Sequence, residues 1–280
     1  MGILEFLVLP FLTGLVLTGI HAYLGVHVVE RGVIFVDLSL AQIAALGTTV
    51  AFLAGYDLHS GVSYFWSLGF TIVGAAIFSL TRVHRETRIP QEAIIGIVYA
   101  VSAAAAILVM SKAPQETEHL KDMLVGNILA VDMRTVIKTA ILYALVGLFH
   151  FIYRKKFLTI SLNAHNGAAD NIPNVKLWDF LFYTSFGFVV TSSVAIAGVL
   201  LVFSYLIVPS VAAMLFSRSI GKRLAIGWTM GALVTALGIL LSFYYDLPTG
   251  ATIVCTFGLA LLLMAALWAI TQRRPLTPEA

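Results

Sequence analysis

The chain has 280 residues, of which 60% are hydrophobic and only 11% are charged, and its formal net charge at pH 7 is +3. A soluble domain carries roughly 25% charged residues, so this composition excludes an ordinary soluble protein and indicates an integral membrane protein. The basic residues cluster at the ends of apolar runs, as membrane topology requires, so the positive charge does not indicate a nucleic-acid partner. A single cysteine, Cys255, excludes an internal disulfide and argues against a structural zinc site.

Continuous apolar runs predict membrane-spanning helices, because the strands of a membrane barrel would instead alternate polar and apolar residues over about ten positions. The first run lacks a basic leading segment and is too long for a signal peptide, so we expect it to be the first span. The runs cover 3–29, 33–54, 62–81, 90–111, 135–152, 176–196, 198–217, 223–244 and 250–270. The predicted fold is all-α, a single polytopic transmembrane domain over 1–280 with eight or nine spans.

The pair of runs across 176–217 decides the span count, because no polar loop separates them and only Thr191, Ser192 and Ser193 mark a turn. Basic residues follow the third, fifth, seventh and last runs. Nine spans with an outside N-terminus and an inside C-terminus place all four basic clusters in the cytoplasm, as the excess of Lys and Arg in cytoplasmic loops requires. The clusters are Arg82, Arg85 and Arg88; Arg154, Lys155 and Lys156; Arg218, Lys222 and Arg223; and Arg273 and Arg274.

Two connections between the runs are longer than a turn. Residues 112–134 fall on the outside, and their apolar side chains recur at helical spacing, which predicts an amphipathic segment on the membrane surface or tucked against the bundle. Residues 153–175 fall on the cytoplasmic side and are polar. They are expected to form either a solvated loop or a short helix with a compact, mostly uncharged surface.

Small residues and prolines mark the spans that we expect to pack closely or to move. Proline within a span removes one backbone hydrogen bond and bends the helix, while small residues four apart let two helices approach. Aspartate, proline and glycine between the last two spans predict a tight outside turn. The residues expected to gate or pack the helices are Gly198, Pro209, Gly227, Gly231, Asp246, Pro248 and Gly250.

Several segments together carry a recognisable pattern. GVLLVFSYLIVPSVAAMLF, which begins at Gly198, and GILLSFYYDLPTGATIV, which begins at Gly238, resemble the membrane subunit of metal-type ABC importers. This permease family serves zinc, manganese and iron uptake in bacteria. GVHVVERGVIFVDLSLAQIAALG, EAIIGIVYAVSAAAAILV and HLKDMLVGNILAVD resemble the family in its own order and at about its spacing. The resemblance therefore covers most of the chain.

The resemblance implies an all-helical permease that works as a homodimer among the lipids of the bacterial plasma (inner) membrane, with the substrate path at or near the subunit interface. A substrate-binding protein would deliver a divalent transition-metal cation from outside. A separate cytoplasmic ABC ATPase would use ATP, because this sequence has no GxxxxGK[ST] phosphate loop, and we expect the chain to bind no cofactor itself. The counterparts of the family's ATPase-coupling stretch are Asn163, Ala164, His165 and Gly167, although the family's acidic residue is absent.

The chain departs from the family at an intramembrane Asp/His pair four residues apart, which falls on Leu38 and Gln42. Asp37 precedes Gln42 by five positions, roughly 140° around a helix, so these two side chains cannot replace that pair. Either the segment shifts locally or the metal contact is built differently. Gln42 offers a neutral amide oxygen, and the loss of an imidazole weakens a zinc-specific interpretation.

Three ionisable residues and Gln42 are the candidates for the substrate path. Asp37 is the best candidate for a metal contact, because a carboxylate inside a span costs about 2.5–3.5 kcal/mol on insertion scales and usually has a function. Alternatively, it lies near the cytoplasmic end and pairs with Arg31. The alternative for Glu92 is a purely structural place in the first turn of a helix, where the helix dipole stabilises a carboxylate. The alternative for His21 is a hydrogen bond to a neighbouring helix.

The other histidines are expected at surfaces and interfaces. His27, together with Glu30, is expected at the membrane interface, His59 and His119 outside near an incoming binding protein, and His84, His150 and His165 on the cytoplasmic side. No hydrolytic motif is present, so the chain is expected to be a transport subunit and not an enzyme. Import of another small substrate, such as a metal chelate, remains an alternative. A secondary transporter is a further alternative, although such proteins commonly have internal repeats and a central charge.

Overall fold

The structure, a computed structural model, describes residues 3–57, 60–82, 89–111, 128–164, 169 and 172–272. The described residues form nine α-helices and one 3-10 turn at Ile128–Ala130. The helices are α1 (Ile3–Arg31), α2 (Val36–Leu53), α3 (Gly61–Leu80), α4 (Gln91–Met110), α5 (Met133–Ile152), α6 (Arg154–Leu162), α7 (Val175–Phe216), α8 (Ile220–Tyr245) and α9 (Thr249–Gln272). All except α6 are long and apolar enough to cross a membrane, which confirms an all-α polytopic bundle.

Hydroxyl and carboxylate side chains of the helices form hydrogen bonds with the backbone of their own helix or helix start. At helix starts, Ser60 accepts from the backbone N–H of Ser63 at 3.2 Å, and Asp132 accepts from that of Thr135 at 2.9 Å. Within the spans, hydroxyls donate to the carbonyl one turn back, as Thr49 does to Ala45 at 2.7 Å. The polar residues inside these apolar helices are therefore compatible with a bilayer, where every backbone group needs a protein partner.

One end of the bundle, here called the Arg31 end, gathers the polar helix termini. Arg31 ends α1, and the carboxylate of Asp179 near the start of α7 accepts from it at 2.7 Å. Asp179 also pairs with Arg82, just beyond α3. Glu92 at the start of α4 accepts from the backbone N–H of Phe35, next to α2, at 3.0 Å. The described basic residues of the clusters after α3, α5 and α7 follow helices that end here, which assigns this end to the cytoplasm.

Helix α7 reverses its direction at Gly198, whose φ of 74° and ψ of 161° are not helical. Before the reversal, α7 runs antiparallel to α1. Asp179 contacts Arg31, and further along Ser193 lies 3.2 Å from His21. After Gly198, the helix returns toward the Arg31 end. Tyr205 lies beside Gly14, and Ser210 donates to the carbonyl of Ala22. At the end of α7, the carbonyl of Ser217 accepts from Arg223, which pairs with Glu30.

Both ends of α7 therefore lie at the Arg31 end. Counting its two arms separately gives nine passes in the described part of the chain, so α1 starts and α9 ends on opposite sides, as expected. The turn expected at Thr191, Ser192 and Ser193 is wrong, because these residues are helical and the break comes at Gly198. Ser192 and Ser193 each donate to the carbonyl of Val189, so their hydroxyls are satisfied within the helix and need no loop.

The two long connections are described only in part. Of the amphipathic segment expected at 112–134, residues 112–127 lie outside the described residues. Ile128–Ala130 form the 3-10 turn, and Asp132 caps α5. In the connection at 153–175, α6 forms a short helix of the kind expected as one alternative. Its exposed surface is basic and not mostly uncharged, because Arg154, Lys155 and Lys156 begin it and all three are exposed.

Candidate transport path and coupling site

Asp37 and Glu92 lie close together at the Arg31 end, where α2 and α4 begin. Asp37 is only 2% exposed, and one of its carboxylate oxygens has no hydrogen-bond partner. Glu92 binds the backbone N–H of Phe35 with one oxygen, while its other oxygen is buried without a partner. Glu92 thus contacts the backbone two positions before Asp37, which makes the two carboxylates neighbours. Arg31 does not pair with Asp37, because its carboxylate partner is Asp179.

A different face of α2 carries the position that the family resemblance singled out. Leu38 and Gln42 are both half-buried, one turn apart, whereas Asp37 is fully packed inside the bundle. Phe35, at the start of the same face, is 48% exposed and stacks on Phe203 of the returning arm of α7, with ring centroids 6.4 Å apart. The five-residue spacing thus has the predicted consequence that Asp37 and Gln42 do not share a face.

His21 is fully buried in the middle of α1. Its Nδ1 lies 2.8 Å from the carbonyl oxygen of Leu17, and its Nε2 lies 3.2 Å from the hydroxyl of Ser193. The carbonyl can only accept, so Nδ1 carries a proton. The hydrogen bond to a neighbouring helix, which the sequence offered as the alternative to a place on the substrate path, is therefore present. Among the described residues, no three His, Cys, Asp or Glu side chains are grouped so that they could hold a metal ion.

Close packing between α1, α8 and the returning arm of α7 depends on small residues. A Cβ at Gly25 would lie 1.9 Å from the carbonyl oxygen of Leu206, and a Cβ at Gly231 would lie 2.4 Å from Thr18. Gly227 faces buried Pro209 of α7, at ordinary van der Waals distance for an added Cβ. These contacts bring three backbones together along the middle of α1.

The tight turn at the opposite end joins α8 to α9. Asp246 has a φ of 52° and ends α8 in the left-handed conformation, and the backbone N–H of Leu247 donates to the carbonyl of Ser242 at 2.9 Å. Pro248 accepts from the backbone N–H of Thr252 and starts α9, beside half-buried Gly250. Asp246 and Pro248 therefore lie in the turn that the sequence indicates, whereas Gly250 already belongs to the first turn of α9.

A buried polar cluster at the Arg31 end joins helices that are distant in sequence. Arg31 donates from Nε to the hydroxyl of Ser161 at 2.9 Å and from Nη1 to Asp179 at 2.7 Å, and its guanidinium lies 3.9 Å from the ring centre of Phe182. His27, one turn earlier on α1, places Nδ1 2.8 Å from the same Ser161 hydroxyl. Asp179 also accepts from Arg82. The cluster thus connects α1, α6, α7 and the end of α3.

Two histidines of this region lie deeper than the sequence indicated. His27 and His150, expected at the membrane interface and on the cytoplasmic side, are each 1% exposed. His150 lies 2.8 Å from the hydroxyl of Ser185 and stacks on Phe157 of α6, with ring centroids 4.5 Å apart. The sequence offered one signal that went unused: Asp179 is the single acidic residue within the run 176–196, so it required a buried partner.

Two of the residues expected to couple to an ATPase, Asn163 and Ala164, lie at the end of α6. Asn163 ends that helix and donates from its side chain to the carbonyl of Thr159 at 2.9 Å. Ala164 lines a cleft of about 210 Å³ together with Arg31, Arg82 and Glu92. His165 and Gly167 lie outside the described residues.

A bundle of apolar helices, one of which turns back inside it, defines a polytopic membrane protein. The chain belongs to the ABC 3 transport family, whose model matches residues 3–269. A probable iron transport system membrane protein of Haemophilus influenzae is 27% identical over 89% of each chain. The manganese transport system membrane protein of Listeria monocytogenes is 27% identical over 89% of this chain and 86% of its own. The chelated iron transport system membrane protein of Yersinia pestis is 26% identical over 75% and 79%.

Two solved structures share the fold. PsaBC from Streptococcus pneumoniae in complex with Fab gives a TM-score of 0.74 at 24% identity, over 93% of this chain and 91% of that chain. An inward-facing putative metal-chelate type ABC transporter gives 0.66 at 17% identity, over 98% and 89%. Family membership makes the chain an ABC transport membrane protein and sets aside the secondary transporter.

Proposed function

We propose that the chain is the membrane subunit of a binding-protein-dependent importer that moves a divalent transition-metal cation, zinc, manganese or iron, into the cell. Its family match over residues 3–269 carries this proposal, and the relatives named for iron and manganese transport support it. A separate ATPase docks at the Arg31 end, a binding protein delivers the cargo at the other end, and a second copy of the chain completes the path.

Within this proposal, Gln42 and Asp37 have separate roles. Gln42 lies on the half-buried face of α2 that Phe35 begins, and it offers its amide oxygen to the passing cation. Asp37 and Glu92, each with an unpartnered buried oxygen, attract the cation toward the cytoplasmic side. His21, in the middle of α1, offers an imidazole nitrogen only when its contact with Ser193 opens.

A metal chelate is the second candidate cargo, and the surface of α2 favours it. The half-buried face around Gln42 presents Leu38 and the exposed ring of Phe35, which are suited to an organic ligand. The relative from Yersinia pestis is named for chelated iron, and the second solved structure is named as metal-chelate type.

The test uses the permease reconstituted in proteoliposomes with its ATPase and binding protein. Metal uptake and ATP hydrolysis are measured with zinc, manganese and iron(II), each free and chelated. We expect one free cation to be taken up, with reduced uptake in Asp37→Asn and Gln42→Ala. Asp132→Asn is the matched control, because Asp132 is an exposed helix cap and asparagine also caps well. Uptake of chelates alone would establish the second candidate, and uptake of neither would refute both.

A further inference from the structure

We propose that Arg31 and Ser161 are positioning residues that link movement of the cytoplasmic helix α6 to the reversing helix α7. This inference rests on the proposed function, because it requires a partner ATPase that acts on the permease from the Arg31 end. Neither residue lies in the expected coupling stretch from Asn163 to Gly167. The contacts that carry the inference are buried hydrogen bonds between helices that are more than a hundred positions apart in the sequence.

Helix α6 has one exposed and one buried side. Arg154, Lys155 and Lys156 are exposed at its start, whereas Phe157, Ile160 and Ser161 are almost fully buried. The buried side contacts the bundle in two ways. Phe157 stacks on His150 of α5, and the Ser161 hydroxyl meets both Arg31 and His27 of α1. A force applied to the exposed side therefore reaches α1 through a directional contact.

Arg31 passes that contact on to α7. Its Nε donates to Ser161 while its Nη1 donates to Asp179, so one planar guanidinium bridges α6 and α7. The side chains of Arg31 and Asp179 are 4% and 2% exposed, so water does not screen or replace this pair. Displacing Ser161 must therefore either shift Asp179 or break a buried hydrogen bond.

Asp179 stands at the start of the arm that leads to Gly198. Between Asp179 and Gly198 the arm contacts α3 and α5: Tyr183 packs against Phe78, Ser185 contacts His150, and Thr191 lies 3.2 Å from Thr71. Because this arm is continuous helix up to Gly198, a shift at Asp179 is carried to the reversal. The reversal is where backbone torsions depart from the helix and where a small change in angle moves the returning arm.

The experiment compares two buried serines that both contact α1. Ser161 and Ser210 are each 1% exposed, but Ser161 belongs to α6, while Ser210 belongs to α7 and donates to the carbonyl of Ala22. Ser161→Ala and Ser210→Ala are each reconstituted with the ATPase and binding protein. Cation uptake per ATP hydrolysed and complex assembly are measured for both.

We expect Ser161→Ala to assemble and hydrolyse ATP while its uptake per ATP falls roughly 2- to 30-fold, and Ser210→Ala to keep the wild-type ratio. Equal ratios in the two variants would overturn the inference. Arg31→Lys provides a second test, because lysine keeps the charge beside Asp179 but loses the fork that also binds Ser161. It should lower the same ratio.

Three further outcomes are decisive. Failure of both Ser161→Ala and Arg31→Lys to assemble would overturn the inference, since the contact would then be purely structural. If only Ser161→Ala fails to assemble, the Arg31→Lys ratio decides. If the wild type takes up no cation at all, the proposed function itself is refuted. If the wild type transports and Ser161→Ala has the same uptake per ATP, only the inference about Arg31 and Ser161 is refuted.

Discussion

The two halves of α1 are packed by different physics. Between Gly14 and Gly25, the helix packs against α8 and the returning arm of α7 through small residues, which let the helices come so close that an added Cβ would collide at several positions. From His27 to Arg31, the same helix is held by directional hydrogen bonds to α6 and by a buried ion pair to α7. Close apolar contacts tolerate no added volume but do not depend on the orientation of the side chains. Buried hydrogen bonds and ion pairs do depend on orientation, and removing one partner leaves the other buried without a partner.

The largest expected effect comes from breaking the polar half at Asp179→Asn. This change leaves Arg31 and Arg82 without their buried carboxylate, and removal of one partner from a buried pair costs about 3–5 kcal/mol. Thermal unfolding in detergent measures the loss. Glu30→Gln is the matched control, because the Glu30–Arg223 pair joins α1 to α8 with the Glu30 side chain 18% exposed, and it should lose clearly less. Equal losses would mean that burial does not distinguish the two pairs.

The next effect tests the small-residue half at Gly25→Ala. The added methyl would lie 1.9 Å from the carbonyl oxygen of Leu206, and backbone cannot rotate away, so α1 and α7 must separate. We expect a loss of about 3 kcal/mol in the free energy of unfolding. Gly19→Ala in the same helix meets nothing within 4 Å and should be neutral or slightly stabilising. A tolerant Gly25→Ala would contradict the close packing.

A smaller effect is expected from Gly231→Ala, where the added methyl meets the Thr18 side chain at 2.4 Å. The loss should be about 1 kcal/mol, since a side chain can shift where backbone cannot. The Thr18 hydroxyl is buried without a hydrogen-bond partner, so Thr18→Ala removes the collision without removing a bond. The double variant should regain most of the stability. If it instead adds a second loss, the two residues are not in contact.

The smallest effect concerns the cap at Asp132, outside the spans. Hydrogen bonds from Thr135 lower the pKa of Asp132 below its ordinary value of 3.8. A carboxyl group whose folded pKa is depressed stabilises the protein above its unfolded pKa, and this contribution is lost as pH falls through the lower folded pKa. Asp132→Asn should therefore flatten the acid side of the unfolding profile slightly. An unchanged profile would show that the cap does not contribute.

The fold could be predicted from the sequence in those respects that composition and charge decide. Apolar runs set the helices, and basic clusters set their orientation. The spacing of Asp37 and Gln42 correctly predicted different faces of α2. The turn inside α7 was misplaced, because serines satisfied by a carbonyl one turn back look like loop residues in a single sequence. Pairing of Arg31 with Asp179 was missed, since nothing local joins positions 148 apart.

The reversal at Gly198 also bears on how the chain enters the membrane. Both arms of α7 are apolar, with no polar segment between them that would be left outside, so hydropathy alone presents α7 as one overlong span. The contacts that hold its first arm come from α1, α3 and α5, through His21, Thr71 and His150, and all three helices precede α7 in the chain. These helices are synthesised first. The partners of the first arm are therefore already made when α7 is made, whereas α8 and α9, which pack against the returning arm, follow it in the chain.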